Sequence, residues 1–262
     1  MTTLKAILWD VDGTLAETER DGHRIAFNQA FEAMGLLWRW DEAYYGHLLN
    51  ITGGRERLRA DMAQRPDAPP TAAERDALVE ELHRRKTAIY TTLVRETGIP
   101  LRPGVRELID EARDAGLRQA VTTTTSRANV DALLGLHFGK AWREVFEVAV
   151  CGEDVAKKKP DPEVFLRALQ ALDLNPLQAV AIEDSPGGVA AALAAEVPVV
   201  VPRSAYFANA TIEGAIAIGP GLHTREGWRP ALAGAAGSGS GPVTLDDLQA
   251  WHQEMDSVSQ FG

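Results

Sequence analysis

A short apolar segment near the start of the chain has the hydrophobic pattern of a buried β-strand. Leu4 to Trp9 contains a single polar residue and runs directly into Asp10. After Thr18 the apolar positions change to helical spacing, and no strand pattern returns before Pro103. The sequence therefore predicts one strand and then a helical segment, with helices at residues 20–34, 41–50, 55–64 and 71–96.

From Pro103 onward, short apolar runs alternate with amphipathic segments. Strands are predicted at residues 117–123, 146–151, 179–183, 197–201 and 215–218, interspersed with helices at 105–115, 127–136, 162–172 and 187–195. Such alternation produces right-handed βαβ units and a parallel sheet covered by helices on both faces. The predicted fold class is α/β, with a Rossmann-like, doubly wound parallel-sheet core and an all-helical insertion.

We expect two domains from this pattern. Residues 1–17 and 97–262 would form the core, and residues 18–96 the helical insertion. The core would end in a linker and tail at 230–262, which match no pattern of known function. The linker is rich in Gly and Ser, most densely at 234–241. The amphipathic segment at 243–255 is expected to dock on the core as a helix.

Charge and composition exclude several classes of function. The 262-residue chain has 27 basic and 37 acidic residues, and its net charge of −10 argues against nucleic-acid binding. The most apolar stretch, Val189 to Val201, is too short to span a membrane. Cys151 is the single cysteine, which excludes an internal disulfide and suits a reducing compartment. We expect a cytoplasmic monomer without a signal peptide, since the first strand begins directly after the N-terminus.

Two carboxylates stand at the end of the first predicted strand. Asp10 and Asp12 flank Val11, and the alternation of side chains along a strand places both on the same side. Gly13 permits a sharp turn out of the strand. Neighbouring carboxylates repel each other and require a cation or a shared proton. Taken alone, however, the stretch is equally well explained as a β-turn that contains Asp and Gly.

The other strand ends carry Thr122 to Ser126, Lys159-Pro160 and Glu183-Asp184-Ser185. Singly, these are explained as a helix N-cap, a solvated loop charge and a capped turn. Together they would meet at the carboxyl edge of a parallel sheet, where α/β proteins bind their ligands. Acids for a divalent cation, hydroxyls and amides for an anion, and a lysine predict a phosphate site with Mg²⁺.

In their order along the chain, Asp10-Val-Asp-Gly-Thr14, Thr123, Lys159-Pro160 and Glu183-Asp184 resemble the four motifs of the haloacid dehalogenase superfamily. The insertion after the first motif resembles the mobile C1-type cap of the branch that includes phosphoglycolate phosphatases and β-phosphoglucomutases. The resemblance implies a phosphatase with a Rossmann-like core, bound Mg²⁺ and a cap that closes over the substrate.

The resemblance also implies a role for each matching residue. Asp10 would attack phosphorus and form an aspartyl-phosphate, and Asp12 would act as general acid and base. The implied ligands of Mg²⁺ are Asp10, the backbone carbonyl of Asp12, Glu183 and Asp184. The phosphoryl group would be bound and neutralised by Thr123, by the backbone amides of Thr124, Thr125 and Ser126, and by Lys159.

The insertion contributes a second group of candidate substrate-binding residues. They are Glu19, His23, Gly53, Gly54, Arg55, Glu56, Arg57, His83 and Lys86. A glycine-opened helix start with arginines nearby suits a phosphate. Structural explanations also exist: His23 as a hinge histidine, Gly53-Gly54 as an interhelical turn, and residues 83–86 as a solvated helix face. Two basic sites opposite a phosphate site would suit a substrate with phosphates at both ends.

The insertion is similar to that of a narrower group, the CbbY-type phosphatases, at Trp38-Arg-Trp40, Tyr45, Leu48-Leu49, residues 53–57 and residues 83–86. This similarity implies hydrolysis of xylulose-1,5-bisphosphate to xylulose-5-phosphate. The bisphosphate inhibits Rubisco, an enzyme of the Calvin cycle. Arg55 departs from an expected lysine, and Gly22 is expected to loosen the segment before His23. The alternatives are a phosphoglycolate or sugar-monophosphate phosphatase, a phosphosugar mutase, and a non-catalytic sugar-phosphate binding protein.

Overall fold

A parallel sheet of six strands forms the centre of the computed structural model, which describes residues 3–231 and 241–258. The strands are β1 (Ala6–Trp9), β2 (Arg118–Thr122), β3 (Val148–Val150), β4 (Ala179–Ile182), β5 (Val199–Pro202) and β6 (Ala217–Gly219). Their order is β3-β2-β1-β4-β5-β6. Trp9 pairs with Val121 on one side and Ile182 on the other. The residues that follow β1, β2 and β4 therefore lie side by side at the carboxyl edge of the sheet. The predicted α/β fold class is confirmed.

Between β1 and β2 the chain forms an all-helical insertion, which is the predicted cap. Its helices are α1 (Arg24–Ala33), α2 (Glu42–Leu48), α3 (Gly54–Met62) and α4 (Ala72–Thr97). They enclose a separate hydrophobic core that includes Phe27, Phe31 and Trp40. A capping box between Thr71 and Glu74 begins α4, as the sequence predicts.

A π-helical turn, Glu19–His23, precedes α1. Gly22 in this turn approaches α4 so closely that a Cβ would lie 2.7 Å from Cε2 of Tyr90. A larger residue would therefore force the turn away from α4. Gly22 serves close packing here, rather than the looser segment that the sequence suggested.

In the described part of the chain, six further helices cover the two faces of the sheet. They are α5 (Val105–Asp114), α6 (Arg127–Phe138), α7 (Trp142–Val145), α8 (Glu163–Leu172), α9 (Pro186–Ala194) and α10 (Leu245–Val258), with 3₁₀ turns at Gly139–Ala141 and Pro176–Gln178. Ile7 and Trp9 pack into the core on one face, and Ala6 and Leu8 into the core on the other. The predicted strand at 146–151 is shortened to β3, because α7 turns the chain and buries Phe146 first.

The final helix docks on the core, as its amphipathic pattern predicts. Trp251 packs against Trp228 with 4.8 Å between the ring centroids. His252 Nε2 hydrogen-bonds to the Leu177 carbonyl at 2.8 Å, and the Leu245 amide donates to Glu111 at 3.0 Å. Residues 232–240, most of the predicted Gly/Ser linker, lie outside the described residues. Across residues 3–231 and 241–258, no helix has the length and apolar character needed to span a membrane.

Arg102 joins the two connections between core and cap. Its amide donates to the Leu15 carbonyl at 2.8 Å, which brings the ends of the insertion together. Its guanidinium donates to the carbonyls of Gly13 and Pro202 and lies 3.4 Å from a carboxylate oxygen of Glu17. The returning chain is therefore fixed beside the turn that follows Asp12.

Candidate active site

Three buried carboxylates meet at the carboxyl edge of the sheet. One oxygen from each of Asp10, Glu183 and Asp184 lies within 4.8 Å of the others. The Lys159 ammonium donates to Asp10 at 2.8 Å, to the Thr122 carbonyl at 2.8 Å and to Glu183. The structure thus brings together candidate residues from four separate parts of the sequence.

The electrostatics of this cluster indicate a shortage of positive charge. Burial and the neighbouring Glu183 raise the pKa of Asp10, and the same two causes raise the pKa of Asp184 to about 8. Burial alone would lower the pKa of Lys159, but Asp10 and Glu183 raise it and keep the ammonium charged. Three carboxylates beside one ammonium leave two negative charges, which a divalent cation with oxygen ligands would offset.

The turn after Asp12 packs tightly against this cluster. Gly13 has a φ of 91°, and a Cβ on it would lie 2.1 Å from an oxygen of Asp184. A side chain at this position would therefore displace the carboxylate as well as strain the backbone. Thr14 adds a hydrogen bond to Asp184 at 3.3 Å. The glycine that the sequence places after Asp12 is required by both conformation and space.

Asp12 points to a different set of neighbours from Asp10. Its Oδ1 accepts a hydrogen bond from Thr18 at 2.6 Å and lies 2.9 Å from His23 Nε2. Burial would raise the pKa of Asp12, but His23 and Thr18 hold it well below its usual range. Both aspartates line the same cavity, so a group bound there can reach either carboxylate.

The Thr/Ser segment after β2 serves both the site and the next helix. Thr123 is buried, lines the cavity beside Asp10, and accepts a hydrogen bond from the Thr125 amide at 3.2 Å. The Ser126 side chain caps α6 by accepting from the Asn129 amide, as the N-cap explanation predicts. Asn129 also donates to the Thr125 hydroxyl at 2.9 Å. The side chains at the end of this segment are thus engaged in local structure.

Two cavities adjoin between core and cap. The first, of about 50 Å³, is called the core lobe and is lined by Asp10, Asp12, Glu19, Thr123, Lys159 and Glu183, among others. The second, of about 150 Å³, is called the cap lobe and is lined by Arg55, His83, Lys86, Thr125, Ser126 and Lys158, among others. Arg57 and Thr124 line both lobes. The site therefore has an acidic end and a basic end.

Arg57 lies at the boundary of the lobes and is held by the cap. It donates to Glu19 at 2.9 Å, to the Tyr45 hydroxyl at 3.0 Å and to the Ile51 carbonyl at 2.9 Å. Tyr45 in turn donates to Glu19. Because burial would raise the pKa of Glu19 and Arg57 lowers it, the pair remains ionised. Glu19 and Arg57 thus satisfy each other in a buried network.

Lys86 and His83 face the cap lobe from α4. Lys86 Nζ lies 2.8 Å from His23 Nδ1, and burial lowers the pKa of Lys86 to about 8. Burial and the charge of Lys86 lower the pKa of His83 to about 3, so its imidazole is neutral at pH 7. Arg84 and Arg85 instead pair with Glu81 away from the lobe. The predicted basic cluster therefore divides between a site-facing half and a solvent-facing half.

The helix start at Gly53-Gly54 carries the other candidate side chains. Arg55 pairs with Glu80 at 2.8 Å, and Glu56 accepts from Lys158 at 2.9 Å. A Cβ on Gly53, whose φ is 101°, would lie 2.1 Å from Glu56 and would block this arrangement. Lys158 lines the cap lobe but was not among the sequence candidates. Its position next to Lys159 in the sequence could have indicated that it lies near the site.

The comparisons with known proteins agree with this geometry. Residues 4–196 match the family model of the haloacid dehalogenase-like hydrolases. The chain belongs to this family. It is an enzyme of the haloacid dehalogenase-like hydrolases, and its resemblance to the superfamily, inferred from the strand-end motifs, is confirmed.

Individual haloacid dehalogenase-like proteins are similar over most of the chain. It is 48% identical to protein CbbY of Rhodobacter capsulatus over 203 residues, which cover 78% of this chain and 87% of that protein. A crystal structure of a D10N mutant of CbbY from Rhodobacter sphaeroides in complex with xylulose-1,5-bisphosphate is 43% identical, covers 81% of this chain and 92% of that one, and has a TM-score of 0.76. CbbY in complex with phosphate has the same TM-score, 0.76, and is 44% identical over the same shares of the two chains.

Proposed function

We propose that this hydrolase is a Mg²⁺-dependent phosphatase that removes one phosphate from xylulose-1,5-bisphosphate through an aspartyl-phosphate intermediate. The observation that carries the proposal is the pair of adjoining lobes, one built for a reacting phosphoryl group and one lined with basic side chains. The similar CbbY protein that was crystallised with xylulose-1,5-bisphosphate supports this substrate. Residues 18–96 would act as the cap, and residues 1–17 with 97–262 as the catalytic core.

The carboxylate cluster suits Mg²⁺. Asp10, Glu183 and Asp184 offer hard oxygen ligands, and the raised pKa values of Asp10 and Asp184 support the binding of a cation, which would relieve the repulsion within the cluster. The Asp12 backbone carbonyl is the further ligand that the family resemblance implies. When bound, Mg²⁺ would neutralise charge on the phosphoryl oxygens and allow an anionic nucleophile to approach them.

Asp10 would be the nucleophile. Its carboxylate lines the core lobe and is oriented by the hydrogen bond from Lys159. It would attack phosphorus in line and form the P–O bond as the bond to the sugar oxygen breaks. Lys159 and the amides after Thr123 would stabilise the charge that develops on the phosphoryl oxygens. Asp10 and Thr123 directly follow strands β1 and β2, and Lys159 is buried and bonded to Asp10, so these groups are already in place beside one another.

Asp12 would handle the protons. Its hydrogen bonds to Thr18 and His23 stabilise the carboxylate, which suits acceptance of a proton from the water that hydrolyses the aspartyl-phosphate. In the first half-reaction Asp12 must instead donate a proton to the sugar oxygen. That step requires the contacts to Thr18 and His23 to weaken.

The cap lobe would bind the second phosphate. Arg55 and Lys86 present cations to it, and Thr124 lies between it and the core lobe. His83 would contribute a neutral ring and no charge. Glu19 and Arg57 would shape the boundary between the lobes as a fixed ion pair, with Glu19 facing the core lobe.

Phosphate release in the presence of Mg²⁺ tests this function. We expect kcat/KM for xylulose-1,5-bisphosphate to exceed that for phosphoglycolate and glucose-1-phosphate about 100-fold, because two charge-assisted contacts are lost with either monophosphate. Equal or reversed preference would contradict the proposed substrate and leave a monophosphate phosphatase. Retention of phosphate on the sugar product would indicate a mutase.

A further inference from the structure

Lys158, which lines the cap lobe, forms an ion pair that joins the core to the cap. Lys158 donates to both carboxylate oxygens of Glu56 at 2.9 Å. Glu56 lies in the first turn of α3, and Lys158 directly precedes the lysine that contacts Asp10. The pair thus connects the cap to the chain segment that serves the reacting centre.

The other cations of this lobe are paired within the cap. Arg57 binds Glu19, and Arg55 binds Glu80. Lys86 lies beside His23. An anion that replaced any of these partners would bind a cation of the cap, whereas an anion on Lys158 would bind a cation of the core.

The Lys158–Glu56 pair is also the kind of pair that an anion can replace. The Glu56 side chain is 42% exposed and that of Lys158 is 21% exposed, so water screens their attraction. An ion pair of this kind contributes little to stability, so its replacement by another anion costs little. A phosphate dianion carries more charge than a carboxylate and, if bound to Lys158, would be repelled by Glu56, which lies 2.9 Å from the same ammonium. The two anions therefore compete for Lys158.

We propose that Lys158 is a specificity-determining residue that binds the second phosphate of the substrate, and that Glu56 is the internal anion which this phosphate displaces. The inference rests on the proposed bisphosphatase function and adds a core residue to its cap lobe. A phosphate held by Lys158 on one side and by Arg55 or Lys86 on the other would tie cap and core together. A monophosphate would leave Lys158 with Glu56.

Substitution of each partner gives opposite predictions. Lys158→Met should raise KM for xylulose-1,5-bisphosphate about 10- to 100-fold, because a charge-assisted contact to phosphate is lost. Glu56→Gln should lower the same KM about 2- to 5-fold, because the competing carboxylate is removed. For p-nitrophenyl phosphate, which has no second phosphate, each variant should change KM less than it changes KM for the bisphosphate.

A matched control is Arg59→Met, which removes a cation from the exposed side of the same helix, where Arg59 pairs with Asp76 at 3.0 Å. It should leave KM unchanged for xylulose-1,5-bisphosphate and for p-nitrophenyl phosphate. All variants should unfold at the same temperature as the wild type. If Lys158→Met and Glu56→Gln shift KM for the bisphosphate in the same direction, the pair is structural and the inference is overturned. If the wild-type enzyme does not prefer the bisphosphate, the proposed function itself fails, and the inference fails with it.

Discussion

The core lobe and the cap lobe are built on opposite principles. In the core lobe, Asp10, Lys159 and Glu183 are buried and held by neighbouring strand ends, and Lys159 contacts both carboxylates. In the cap lobe, Arg55 and Lys158 belong to partly exposed ion pairs whose acidic partners face water. The reacting groups are therefore fixed before the substrate binds, whereas the recognition groups can change partners.

This difference separates the residues that carry out the reaction from those that select the substrate. A buried network loses much free energy when one partner is removed, because the remaining charge stays desolvated. A partly exposed pair loses little, so a substrate phosphate can compete with it. Variants of the core lobe should consequently affect every substrate, and variants of the cap lobe should affect mainly substrates with two phosphates.

The largest effect is expected from Asp10→Asn. The amide cannot attack phosphorus, so turnover should fall at least about 1,000-fold with every phosphate ester. Capture of beryllium fluoride should be lost too, while the circular dichroism spectrum stays that of the wild type. Turnover near the wild-type level would contradict the assignment of Asp10 as nucleophile.

Removal of Mg²⁺ should also abolish turnover, and its effect on stability should depend on pH. Burial and Glu183 raise the pKa of Asp184 to about 8 from 3.8, so without a cation the folded state holds a proton that the unfolded chain releases in this range. Stability without metal should therefore fall by several kcal/mol as pH rises from 4 to 8. Thermal unfolding with EDTA or with MgCl₂ tests this. Stabilisation by Mg²⁺ must be greater at pH 8 than at pH 5; equal stabilisation would argue against this carboxylate cluster as the metal site.

The Arg57–Glu19 pair tests whether the boundary of the lobes behaves like the core lobe. Arg57→Met leaves Glu19 buried beside Tyr45 without its cation and should destabilise the cap by about 3–5 kcal/mol. Arg59→Met, on the same helix, should change stability by less than about 0.5 kcal/mol. Urea unfolding of the two variants gives the comparison. A fully stable Arg57→Met protein with a raised KM would instead make Arg57 a replaceable recognition residue.

The smallest effect concerns the protonation of Lys86. Burial lowers the pKa of this lysine to about 8, so its charge is lost as pH rises through that value. KM for the bisphosphate should increase about tenfold between pH 7 and pH 9, while KM for p-nitrophenyl phosphate changes less. Lys86→Arg should flatten the dependence, because arginine stays charged. If KM for the bisphosphate depends on pH as steeply in Lys86→Arg as in the wild type, Lys86 is not the group that causes the dependence.

The sheet and the core lobe could be predicted from the sequence because their causes are local. Short apolar runs located β1, β2 and β4, and parallel pairing then brought Asp10, Thr123 and Glu183 to one edge. The helical spacing of α4 likewise placed His83 and Lys86 on one face, as residues three apart should be.

The partners of the charged cap residues could not be predicted in the same way. Glu56 contacts Lys158, which lies 102 positions away, and Arg57 contacts Glu19, 38 positions away. These contacts depend on how the cap sits on the core, which no local pattern encodes. For the same reason the sequence did not show that Gly22 packs against Tyr90.

The hydrogen bond between Arg102 and Leu15 has a consequence for how this architecture can vary. It makes the two ends of the insertion neighbours, so the chain leaves the core and returns to it at the same place. Inserts of other lengths could begin and end at this same junction without altering the strand order. A different cap could therefore be joined to the core at this junction. Such a chimera would change substrate choice and keep the reacting centre.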